Sequence, residues 1–151
     1  MPISVKRPRN VPAVLGPLRE IITATLALEG LKPGEITVVL ADDATSRDLN
    51  RRWRGIDRAT DVLSFGYGTA RGRASGDLVI SLERSAALAR RYRVPIGREL
   101  ARLVIHGTLH IAGHDHHRIA ERRRMRGRER AALRARPRAL AQLGRFEVPA
   151  R

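Results

Sequence analysis

All five histidines of the chain fall within twelve residues: His106, His110, His114, His116 and His117. His106 and His110 are four apart, a spacing that on an α-helix puts both imidazoles on one face, one turn apart. Two neutral imidazoles so placed can grip one cation. Gly113 after them supplies a turn, so that His116 approaches from a different direction and completes a three-histidine set. Three protein ligands with a vacant fourth position describe a catalytic zinc ion, which lowers the pKa of its bound water towards about 7. His114, four after His110, and His117 stay open as alternatives to His116, which the turn at Gly113 favours. Asp115 is either a partner that orients a ligand imidazole or a simple turn residue.

The spacing H-x3-H-x5-H, with Gly113 in third place after His110, echoes the metzincin pattern H-E-x-x-H-x-x-G-x-x-H. Metzincins carry their general-base glutamate directly after the first histidine, where this chain has Gly107. A protease of that kind is therefore disfavoured, because the group that would take the proton from attacking water is missing.

These residues need a frame. Leu100, Leu103, Val104, Ile105, Leu109 and Ile111 leave little of 98–112 polar on any side, which predicts a buried central helix carrying the histidine pair and ended by Gly113. Upstream, Leu18, Ile21, Ile22 and Leu26 recur at helical spacing over about 16–29. Residues 35–40 are β-branched and short, hence a strand, and Asp42-Asp43 after them supplies a turn. Thr45 or Ser46 can cap a helix that reaches about Arg54. Strands are expected at 61–65 and 77–81, with a Gly-, Ala- and Arg-rich loop from 66 to 76 between them. A helix over 82–92 precedes the central one. The arginine-rich stretch from about 117 to 143 reads as helical, interrupted at Gly127 and Pro137. The expected fold is α/β (α+β): a small mixed β-sheet packed with helices.

The chain has 151 residues and a mass of 16.8 kDa, which suits one domain. We expect that domain over 1–133, followed by a basic C-terminal extension over 134–151. No apolar run approaches the roughly 18 residues of a membrane span, and the N-terminus lacks the apolar core of a secretory signal. With no cysteine present, a cytoplasmic location is expected. Thirty basic residues against fifteen acidic give a net charge of +15, the footprint of a polyanionic partner such as nucleic acid. Only Lys6 and Lys32 among the thirty are lysine, which points to GC-rich codon usage as an alternative source of part of the arginine count. Residues 118–151 hold twelve arginines against three glutamates. Aromatic residues make up only 3%, so contact with backbone phosphates is expected rather than a surface of stacked bases.

Residues 106–116, His-Gly-Thr-Leu-His-Ile-Ala-Gly-His-Asp-His, resemble the H-G-x-L-H-L-x-G-Y-D-H signature of the YbeY family of bacterial metal-dependent endoribonucleases. Leu49-Asn50-Arg51-Arg52-Trp53-Arg54 and Thr60-Asp61-Val62-Leu63-Ser64-Phe65 are similar to that family's L-N-x-x-[YW]-R and P-T-D-V-L-S-F segments. Gly76-Asp77-Leu78-Val79-Ile80-Ser81 is similar to its G-D-I-V-I-S. The resemblance covers about residues 35–133. His114 stands where the family usually has tyrosine, and Ala59 replaces a proline.

The resemblance implies one zinc ion on His106, His110 and His116, and cleavage of single-stranded RNA near the 3′ end of small-subunit ribosomal RNA, with a part in ribosome quality control. Ribosomal RNA, the small ribosomal subunit and its proteins are the implied partners. Arg54, which matches a family position, is the expected catalytic residue: its planar, permanently charged fork can offset charge building on a phosphate. Arg51, Arg52, Arg122, Arg123 and Arg124 are expected RNA contacts. Two rival readings are a non-catalytic ribosomal-RNA-binding assembly factor with a structural metal, and a metal-dependent hydrolase of another substrate.

Overall fold

The computed structural model describes residues 2–114 and 118–145. In chain order the elements are β1 (Ile3–Lys6), α1 (Leu15–Leu28), β2 (Lys32–Ala41), α2 (Asp43–Arg54), β3 (Val62–Ala70), β4 (Arg73–Ser81), α3 (Leu82–Tyr92), α4 (Ile96–Ile111), α5 (Ile119–Ala135) and α6 (Pro137–Leu143). The strands form one mixed sheet in the order β1-β2-β4-β3. β2 runs parallel to β1 and to β4, whereas β3 is antiparallel to β4 and forms an edge.

Along β2, Ile36, Val38 and Leu40 alternate onto one face, the two-residue period of a strand with one side in the core. β4 lies inside the sheet, and its Leu78, Val79 and Ile80 are all buried, as a strand covered on both faces requires. The main core lies between the first face and the helices α1, α4, α5 and α6. A smaller cluster of Ala41, Leu63 and Val79, with Val39, Leu49 and Phe65 against it, occupies the other face with α2.

Several boundaries differ from the sequence expectation. The stretch 66–76 is not a loop: β3 continues to Ala70, and Arg71 and Gly72, both at positive φ (54° and 73°), turn the chain directly into β4. Two consecutive left-handed residues match the right-handed twist of a hairpin, and the small residues that hid the alternation are paired in the ladder. The segment Ile3–Lys6, read only for the absence of a secretory signal, pairs with β2 through Ile3 opposite Ile36. Helix α2 starts at Asp43, because Asp42 caps it by accepting a hydrogen bond from the Thr45 amide at 2.7 Å. Ser46 is instead buried and donates to the Thr60 carbonyl. Helix α5 passes through Gly127 without a break, held down by buried Met125 and Ala132. The expected extension from residue 134 carries α6, whose Ala139 and Leu143 belong to the main core. Among the described residues no helix is long and apolar enough to cross a membrane.

Candidate functional site

Eleven of the sixteen residues of α4 are buried. The rest, apart from Ile96, fall four apart: Arg98, Arg102, His106 and His110 make a single strip along the helix. Gly107 lets the sheet approach behind this strip, since a Cβ there would sit 2.6 Å from Leu78 Cδ2 and 3.3 Å from Val62 Cγ2. Burial of the apolar sides thus fixes the roll of the helix and leaves the two imidazoles on its accessible line.

The rings of His106 and His110 lie with centroids 4.9 Å apart and 70° between planes, and their Nε2 atoms are 3.3 Å apart. His106 Nδ1 is 2.5 Å from Glu129 Oε1 of α5. A carboxylate there accepts a hydrogen bond from Nδ1–H, the tautomer that leaves Nε2 with its lone pair facing the other imidazole. A carboxylate behind a ligand histidine is the usual support of a metal-binding imidazole, so this donor set fits a borderline cation such as zinc. One turn earlier, Arg102 donates through Nε and Nη2 to Oε1 of the buried Glu99, at 2.9 and 2.6 Å. Burial alone would push the Arg102 guanidinium down, but its acidic neighbours, Glu99 foremost and Glu129 with it, together hold its pKa above the ordinary value.

Gly113, at φ +107°, ends the helix as expected, and His114 follows. The His114 ring does not extend the imidazole pair: its Nε2 meets Glu29 Oε1 at the end of α1, and Arg128 Nε lies 3.3 Å from the other oxygen of that carboxylate. Ala112, Gly113, His114, Glu121 and Arg124 line a cavity of about 260 Å³ beside this turn. Asp115, His116 and His117 lie outside the described residues, so the expected third ligand and its neighbours receive no structural account. Among the described residues no group of three or more histidine and carboxylate side chains could hold a metal ion.

Arg54 closes α2, and its Nη2 donates to the Ser64 carbonyl of β3 at 3.2 Å. That strand packs on α4 through Val62 beside Gly107 and Gly66 beside Ile111. Arg51 and Arg52 are exposed and share Asp48, at 2.8 and 3.0 Å. Exposed pairs of this kind contribute little and exchange readily for another anion. Arg122, Arg123 and Arg124 are exposed in the first turns of α5. Glu129 and Glu29 were not expected at the site.

A mixed sheet behind a helix that presents two imidazoles on its one accessible line defines an α/β protein with a histidine-built site. Comparison with known proteins narrows the class. The family described as Endoribonuclease YbeY matches residues 10–136, and the chain belongs to that family. A protein of Anaeromyxobacter sp. (strain Fw109-5), named an endoribonuclease YbeY, is 46% identical over 120 residues, which cover 78% of this chain and 62% of that protein. A protein of the same name from Desulfitobacterium hafniense is 41% identical over 109 residues, 66% of this chain and 69% of that one. The chain thus spans less than two thirds of the Anaeromyxobacter relative. The solution structure of a Thermotoga maritima protein shares the fold with a TM-score of 0.68 at 22% identity, over 99% of both chains.

Proposed function

We propose that this chain is a zinc-dependent endoribonuclease that cleaves single-stranded RNA during 3′-end maturation of small-subunit ribosomal RNA. The observation that carries the proposal is the pair of Nε2 atoms 3.3 Å apart on α4 with Glu129 behind one of them, in a chain of this family. His106, His110 and His116 would hold the ion, which when bound supplies a Lewis acid for phosphodiester cleavage. Glu129 fixes the tautomer and rotation of the His106 ring. Arg54 binds the phosphate next to the scissile bond and offsets charge that accumulates there. The arginines of α2 and α5 hold the flanking backbone without reading sequence. The cytoplasm, the small ribosomal subunit and a part in ribosome quality control belong to the same reading.

The test is zinc content together with cleavage of a single-stranded oligoribonucleotide, for the wild type and His110→Ala, after circular dichroism has shown both to be folded. One zinc per chain, with zinc and cleavage lost together in the variant, is the expected result. Cleavage that survives loss of the metal overturns the proposal and returns the metal to a structural role, whereas RNA binding without cleavage by the folded, zinc-loaded wild type favours the non-catalytic assembly factor.

A further inference from the structure

The few aromatic side chains do not spread evenly over the molecule. Trp53, Phe65 and Tyr67 gather on α2 and β3, on the sheet face away from α4, so the low aromatic content concealed a local cluster. Trp53 is 70% exposed and stands edge-on to Phe65, with ring centroids 6.3 Å apart and 68° between planes. Tyr67, 66% exposed, is tethered by its hydroxyl to Asp77 Oδ2 at 2.5 Å, which leaves its ring in solvent. That hydrogen bond pushes the Tyr67 phenol above its ordinary pKa, so the ring stays uncharged.

An indole is a large apolar body, and this one meets the small apolar cluster of its sheet face through Phe65, which leaves most of the ring in solvent. Its surroundings are basic. Arg47, Arg51, Arg52, Arg54 and Arg58 stand against only Asp48 and Asp57 in the same segment. Exposed aromatic rings among arginines are the composition of a surface that stacks unpaired bases while cations follow the backbone.

We infer that Trp53, supported edge-on by Phe65 and continued by Tyr67, is a stacking platform for bases of single-stranded RNA. The inference rests on the ribonuclease reading and deepens it by assigning where the strand is held. A duplex covers its own base faces, so the platform selects unpaired strands. β3 is the sheet edge, with the platform on one face and α4 on the other, and Arg54 is anchored on that strand through Ser64. A strand stacked on Trp53 crosses the edge past Arg54 to reach the imidazole line.

Trp53 is the chain's single tryptophan, so its emission reports directly on the platform. The full chain is titrated with a labelled single-stranded oligoribonucleotide, its abasic counterpart and a duplex, with label anisotropy and tryptophan emission read together. The oligoribonucleotide is expected to quench the emission and the abasic strand to leave it unchanged. Trp53→Ala is expected to weaken single-strand binding about tenfold, Trp53→Phe to retain most of it, and duplex binding to change little. Binding seen by anisotropy with unchanged emission, and with Trp53→Ala equal to wild type, overturns the platform and leaves the ribonuclease reading standing. Absence of binding by any RNA overturns both, and leaves the exposed rings to a protein partner. Should Trp53→Ala fail to fold, the emission of the wild type and the affinity of Trp53→Phe decide alone.

Discussion

At the scale of single residues, the site divides into groups set by local spacing and groups supplied by packing. The His106 and His110 pair was legible because the helical repeat alone brings the rings together. Glu129 is 23 residues from His106, and Glu29 is 85 from His114, so only the packing of α5 and α1 against α4 brings those carboxylates in. The same packing bonds His114 to Glu29 and so ties the turn after α4 to the end of α1. His114→Ala should therefore leave zinc affinity within a few-fold of wild type while lowering the thermal midpoint. Loss of zinc stoichiometry in a folded His114→Ala would restore it as a ligand. Glu129→Gln keeps an acceptor at His106 Nδ1 but removes the charge that makes the ring basic. Its zinc affinity, measured by competition with a chelating dye, should fall about 10-fold and that of Glu129→Ala closer to 100-fold. Equal affinity in all three proteins would refute the supporting role.

At the scale of elements, the patterns that were legible are those with a strong period. The buried faces of α1 and α4 follow from their apolar spacing, and α3 occupies its expected residues, 82–92. What sequence hid lies where side chains are too small to show a period. The residues around Gly66, Gly68, Gly72 and Gly76 read as a loop, yet they pair as a hairpin because Arg71-Gly72 makes the turn and the sheet supplies partners. Likewise, arginine content obscured that Ala139 and Leu143 of α6 are core residues. Gly97 at the start of α4 is the counterpart of those buried positions: a Cβ there would fall 1.4 Å from the Leu143 carbonyl oxygen. That neighbour is backbone, so it cannot rotate away, and the two helices must separate. Gly97→Ala should cost about 1–3 kcal/mol in chemical denaturation, as overpacking does, despite the better helix propensity of alanine. A neutral or stabilising result would mean that α6 does not dock on α4.

At the scale of the whole molecule, a net charge of +15 is a statement about association rather than fold. Most arginines of α5 are exposed, whereas among the described residues those that meet carboxylates are few: Arg128 at Glu29, Arg102 at Glu99, Arg47 at Asp57, Arg84 at Asp43 and the Asp48 pairs of α2. The surface therefore attracts a polyanion from any direction, and productive orientation must come from the few anchored groups around Arg54 and the imidazoles. Codon bias and selection for RNA binding both produce arginine, and salt dependence separates them, because only arginines in contact with phosphates release counterions. If Arg51, Arg52, Arg54, Arg122, Arg123 and Arg124 each neutralise one phosphate, log K for a single strand should fall against log salt with a slope of about −4, at ~0.7 per contact. Replacing Arg122, Arg123 and Arg124 together with alanine should then reduce that slope by about 2 without altering sequence preference. These three side chains are exposed, so the fold should survive the change and anisotropy titrations at several salt concentrations read the slope directly. An unchanged slope would assign the α5 arginines to composition alone and confine RNA contact to α2 and β3.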